Sequence, residues 1–245
     1  MYFPTTKWTL LADASANGET AATQALEDLC RRYWTPLQRF IRSRGYAEVE
    51  ANDLTQEFIL HLIEHSTLKK ADPLRGKFRS FLCGALVRFL ADEYDRRHAE
   101  KRGGGVTHVE VREQDADARG AEANLVSFDR GWAIAILERA LRVTQEQYEA
   151  AGETKRFGVL RNFLPGALRV PTYEEAATEL GISLPALKSE LHRLRQRFKA
   201  AAREEVACTV SVPHEVDEEI EHLQRVLMDR GSDLEVGRKP SVPES

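Results

Sequence analysis

Three side chains have the spacing of a metal site. His61, Glu64 and His65 spell H-x-x-E-H. Two histidines four residues apart share one face of a helix, where they can hold zinc beside a glutamate that acts as a base. The motif is short, no later helix offers an obvious further ligand, and His and Glu are ordinary residues on a solvated helix. The expectation is a chain that is not an enzyme and carries no metal or cofactor, with a zinc hydrolase through His61, Glu64 and His65 as the remote alternative. Cys30, Cys83 and Cys208 are odd in number and far apart. They fit reduced core residues of a cytoplasmic protein better than a zinc cage or a disulfide framework.

The broader chemistry is that of nucleic-acid binding. Between residues 69 and 102 there are ten Lys and Arg against five Asp and Glu, and between 188 and 203 six against one. The net charge of −4 hides both stretches, because seven acidic residues with no Lys or Arg follow between 204 and 221. A chain can be acidic as a whole and still offer phosphate a basic surface. No apolar run approaches the roughly 18 residues a membrane span needs, and the N-terminus has no apolar stretch of the secretory kind.

The elements that position these charges read as helices throughout. Leu26, Leu29, Tyr33, Leu37 and Phe40 recur at three- and four-residue steps, which predicts a helix over residues 21–43 with a kink or break at Pro36. Ala51, Leu54, Phe58 and Leu62 make a second stripe. Phe78, Phe81, Leu82, Ala85, Leu86, Phe89 and Leu90 make the strongest one. Residues 103–130, with three consecutive glycines and scattered charge, read as a linker. Trp132, Ile136, Ala140 and Val143 begin another helix, and Phe157, Leu160 and Leu164 a short one.

A helix-turn-helix follows. Thr172 caps a helix and Glu175 completes a capping box; Ala176, Ala177 and Leu180 face inward. Gly181 ends that helix and Ile182 plugs the turn. Ser183 caps the next helix, with Pro185 in its first turn. Leu187, Leu191, Leu194 and Phe198 form its buried edge, leaving Ala186, Lys188, Ser189, His192 and Arg193 outside. Such a face suits a DNA major groove; a helical hairpin with a solvated basic face is the plainer alternative.

The segment TYEEAATELGISLPALKSELHRLRQRF is similar to region 4 of bacterial RNA polymerase sigma factors of the sigma-70 family, and residues 30–102 resemble region 2. With no intermediate domain between them, the chain resembles the extracytoplasmic-function (ECF) group. FPTTKW, KRGGG and EVDEEIEHL further resemble a branch of large ECF-like factors from bacteria rich in protein kinases.

The resemblance implies an all-α protein with two helical domains. These are an N-terminal segment (1–20), a region 2-like domain (21–103), a linker (104–130), a region 4-like domain (131–205) and an acidic tail (206–245). Its implied partners are core RNA polymerase and promoter DNA. Glu50, Asn52, Asp53, Gln56 and Glu57 match the surface that docks on the polymerase. Phe78 and Tyr94, with Phe81, match rings that stack on unpaired bases of the minus-ten element; core packing is the alternative for Phe78 and Phe81, and the stronger reading for Phe81. Arg79, Arg88, Arg96 and Arg97 match phosphate contacts. Lys188, Ser189, His192 and Arg193 match the minus-thirty-five reader.

The chain departs from the family at Phe81, where Trp is usual, at Arg88, where Asn is frequent, at Glu190, where a base is common, and at Asn52, where an acid is usual. A phosphate on Thr55 would restore the charge missing at Asn52, which makes a Ser/Thr protein kinase a candidate partner. The apolar face Val216, Ile220, Leu223 and Leu227 predicts a tail helix near region 4, whose carboxylates compete with DNA for Arg197, Lys199 or Arg203; a solvated acidic tail is the alternative. A stand-alone helix-turn-helix regulator is the alternative function.

Overall fold

The computed structural model describes residues 19–64, 77–102, 118–210 and 214–228. Eight α-helices and no strand occur among them: α1 (Glu19–Ser43), α2 (Glu48–Glu64), α3 (Phe78–Arg102), α4 (Ala118–Ala150), α5 (Thr154–Leu160), α6 (Tyr173–Leu180), α7 (Leu184–Ala207) and α8 (Glu215–Met228). The all-α expectation holds. None of the described helices is long and apolar enough to cross a membrane.

Two cores share α4. The first gathers Tyr33, Leu37, Phe40 and Ile41 of α1, the buried stripes of α2 and α3, and Phe128, Trp132, Ala133 and Ile136 of α4. The second gathers Ala140 and Tyr148 of α4 with Phe157, Leu160 and Leu164, the α6 alanines and the buried edge of α7. Leu137 packs against both. The division between the two domains therefore falls inside one helix.

This corrects the expected linker. Residues 118–130 are the first turns of α4, with Phe128 and Asp129 buried. The cause is periodicity: Asp129, Trp132, Ala133, Ile136 and Ala140 share one face at three- and four-residue steps, and the glycines and charges upstream obscured where that face begins. The KRGGG glycines and the rest of the expected linker lie outside the described residues, as do FPTTKW, His65 and the loop up to residue 76.

The chain does not break at Pro36 either. Pro36 is buried within α1 and has no N–H for the carbonyl of Arg32, one turn back. Arg139 of α4 donates Nη1 to that carbonyl at 3.1 Å. It also donates Nε to Glu205 Oε2 at 2.8 Å, and Arg32 donates Nη1 to the same oxygen at 2.6 Å. One guanidinium thus satisfies the backbone group that proline orphans and ties α1 to the end of α7. The helices approach closely here: a Cβ on Gly131 would stand 3.6 Å from the Pro36 carbonyl oxygen.

The tail is not only a solvated acidic run. Val216 and Leu223 of α8 are buried in the first core beside Val206 and Val210, and Ile220 and Leu227 pack against it. The tail helix was expected near region 4; it contacts α7 there, but it also packs on α4 and joins the core of the region 2-like domain.

Candidate nucleic-acid interface

The helix-turn-helix has the local geometry its sequence specifies. Thr172 Oγ1 accepts from the backbone N–H of Glu175 at 3.1 Å, and the Glu175 carboxylate accepts from the Thr172 N–H at 2.9 Å. This pair satisfies two donors that the first turn of α6 would otherwise leave open. Gly181 closes the helix with φ +64°, a left-handed conformation that glycine adopts without a Cβ penalty. Ile182 then donates its N–H to the Ala177 carbonyl at 3.0 Å. Ser183 caps α7 by accepting from Ala186 N–H at 3.4 Å.

Leu187, Leu191, Leu194 and Phe198 are buried, so the opposite side of α7 is presented outward. Lys188, Ser189, His192 and Arg193 are all exposed on it. Ser189 Oγ donates to the Pro185 carbonyl at 3.1 Å. Arg193 pairs with Glu190 at 2.5 Å while remaining 60% exposed, and Glu190 also reaches Arg156 at 3.4 Å. Glu190, the acid at a position where the family commonly has a base, therefore holds Arg193 against α5. A cation held this way is still open to a phosphate or a base edge on its solvent side.

The α2–α3 unit is different. Arg88 and Arg96 are exposed and Tyr94 is half-buried. Arg96 pairs with Glu93 at 2.5 Å. Arg97 pairs with Glu50 at 2.5 Å, which brings together a residue expected on DNA and one expected on polymerase. Asp53, Gln56 and Glu57 are exposed along α2, and Asn52 Oδ1 accepts from Gln38 Nε2 at 2.7 Å.

Three expectations are corrected here. Phe78 is buried, edge-on to Tyr33 with ring centroids 5.4 Å apart, so it is a core residue in this structure and does not present its face to a base. Phe81 is partly buried and stacks on Phe78 at 6.0 Å, as its core reading expected. Arg79 is also buried. Its Nε donates to Asp129 Oδ1 at 2.8 Å, its Nη1 donates to Glu219, and its guanidinium lies 5.0 Å from the Trp132 ring centroid. Burial of an arginine demands such partners, because an unpaired charge in the core costs several kcal/mol.

Thr55 is the third. It is fully buried, and its Oγ1 donates to the Ala51 carbonyl at 2.6 Å. In this fold the hydroxyl is not presented to a kinase. The expectation of a Ser/Thr kinase as partner therefore finds no support at Thr55.

Sequence reasoning missed the acids that hold Arg79. The expected linker took in Asp129, and the tail carboxylates, Glu219 among them, were expected to face Arg197, Lys199 or Arg203 rather than Arg79. Both carry a signal in hindsight: Glu219 lies three residues after Val216 and four before Leu223, inside the apolar stripe of α8, and Asp129 lies three before Trp132. An acid standing in an apolar stripe needs a buried cation. His222 completes the group, with Nε2 2.6 Å from Asp129 Oδ2.

His61 packs its ring 5.5 Å from Phe89. Among the described residues no group of three or more His, Cys, Asp or Glu is placed to hold a metal. Burial pushes the Cys83 thiol up to about 12 and also raises Cys30; all three cysteines are free.

Comparison with curated proteins and with solved structures returns no match. A family model described as ECF sigma factor matches residues 5–204, which takes in both domains and stops short of α8. The chain belongs to the ECF sigma factor family, whose members act in transcription initiation.

Proposed function

We propose that this chain binds core RNA polymerase and delivers it to promoters, reading the minus-thirty-five element with α7 and the minus-ten element with the α2–α3 unit. The observation that carries this reading is the capped helix-turn-helix with Lys188, Ser189, His192 and Arg193 exposed on a single face. The exposed acids Asp53 and Glu57, with Gln56 between them in sequence, form a second surface of opposite charge on a different domain. A basic patch for DNA and an acidic patch for a basic protein surface are what a bridging factor requires. Polymerase docking then falls to Asp53, Gln56 and Glu57, with Glu50 and Asn52 engaged within the fold. Phosphate contact in the first domain falls to Arg88, Arg96 and Arg97, beside Tyr94.

A second reading, a free-standing regulator of duplex DNA, is favoured by the burial of Phe78 and Arg79, which leaves α7 as the more open of the two basic surfaces. Co-purification separates the two. The polymerase reading expects the chain to retain purified core polymerase, and expects Asp53→Lys with Glu57→Lys to abolish retention. DNA binding with no retention of core polymerase would leave the free-standing regulator.

A further inference from the structure

The C-terminal helix lies beyond the span shared with the family, yet it is built into the fold. Its apolar stripe is buried in the first core. Its acids are aimed at cations of the two DNA-facing units. Glu219, only 2% exposed, takes Lys77 and Arg79 at the start of α3. Asp217 takes Arg203 on α7, and that hydrogen bond holds the Asp217 carboxyl below its ordinary range, so the pair persists until the pH falls through that lowered value. Tyr33, Phe78 and Trp132 line the small cleft around Lys77, Arg79 and Glu219.

Carboxylates in these positions occupy the cations as phosphate oxygens would. Charge-assisted pairs of guanidinium with carboxylate and with phosphate have the same fork geometry. In the fold described Arg79 is a buried ion-pair partner, and a phosphate contact by it would belong to a second state, with α8 displaced.

We infer that α8 is an intramolecular inhibitor: it covers Arg79 with the carboxylate of Glu219, neutralises the partly exposed Lys77 and Arg203 with Glu219 and Asp217, ties the two domains together, and must leave before the start of α3 can engage nucleic acid. The inference rests on the DNA-binding reading proposed above. Leaving is feasible because α8 is a helix of fourteen residues that buries only Val216, Glu219 and Leu223, and elements with few buried contacts sit at the low end of local unfolding energies. Removing Glu219 from Arg79 still leaves Asp129, so the guanidinium is not stranded when the helix departs.

The test uses the full chain, the same chain with Asp217→Asn and Glu219→Gln, and a chain ending at residue 210. The probe is a duplex with a central unpaired bubble, titrated at several salt concentrations. Release of two to three cations makes the salt dependence of log K steeper by roughly 2 to 3 and raises low-salt affinity about tenfold or more. Hydrogen exchange on the unaltered chain supplies a readout that no substitution can confound: α8 amides lose protection when the bubble duplex is added.

Equal affinity and equal salt slope in all three chains would overturn the inference, as would α8 protection that is unchanged or higher with DNA bound. Core polymerase binding is measured in parallel. If it persists while the salt slopes are equal, the inhibitor fails and the sigma reading stands; if no form binds core polymerase, the sigma reading has failed.

Discussion

Arg193 and Arg79 stand in basic segments that the sequence marks for nucleic acid, and the fold treats them in opposite ways. Arg193 lies on a helix face set by four leucine and phenylalanine anchors of the same helix, so its exposure follows from local periodicity. Its carboxylate partner is three residues away. Arg79 is taken by Asp129 and Glu219, fifty and one hundred and forty residues along the chain. A basic residue in a basic segment looks the same in both places until the distant acids are located. The difference teaches that a charge pattern reports surface only where the partners that could bury it are also local.

Arg79→Ala is the strongest way to sharpen that contrast. It leaves Asp129 and Glu219 as buried carboxylates without their main cation, and the expected loss is about 3 to 5 kcal/mol of folding stability by denaturant titration. A loss below about 1 kcal/mol, the range of an exposed ion pair, would mean that Arg79 is held no more firmly than Arg193.

Thr55→Glu comes next. The side chain would enter a site with no exposure, where a carboxyl neutralises and still costs about 2 to 3 kcal/mol for want of partners. Thermal melting checks this. A stable Thr55→Glu protein with higher polymerase affinity would instead restore the phosphate switch.

Lys188→Ala and Arg193→Ala change the other region. Each is expected to cost about 1 to 3 kcal/mol in promoter affinity if the lost contact is to a base edge. Folding stability should stay within about 0.5 kcal/mol, as for surface substitutions, and core polymerase should still bind. Titration against a native promoter fragment decides it, and unchanged affinity would place the DNA-facing side elsewhere on α7.

The smallest perturbation is chemical. With its pKa pushed up to about 12, roughly one Cys83 thiol in ten thousand is ionised at pH 8. Alkylation of Cys83 at that pH is therefore slow in the native protein and fast once denaturant is added. Fast native alkylation would show that the first core opens readily, and with it the enclosure of Arg79.

Much of the fold was legible because it is helical and its stripes are strong. The capping box at Thr172, the left-handed Gly181 and the buried edge of α7 all depend on neighbours within a few residues, and the sequence carries them in full. The start of α4 was not legible, because the glycines and scattered charges upstream of Asp129 obscured where its buried face begins. Pro36 pointed to a break for a sound local reason; the remedy, Arg139 on the Arg32 carbonyl, comes from more than a hundred residues away. Thr55 looked like a surface residue because spacing from Asn52 was considered without the burial of Ala51 and Leu54 beside it. Of the first-domain residues expected on DNA, Arg88 and Arg96 are exposed as their sequence pattern suggested, whereas Phe78 and Arg79 are buried by distant partners.

Run-off transcription tests the central claim most directly. Core polymerase, the chain and genomic fragments that the chain binds are combined, with the Lys188→Ala and Arg193→Ala double variant as control. The account predicts transcripts of discrete length that require the chain and are lost or much reduced with the double variant. Identical products from core polymerase with and without the chain, on fragments the chain demonstrably binds, would contradict it.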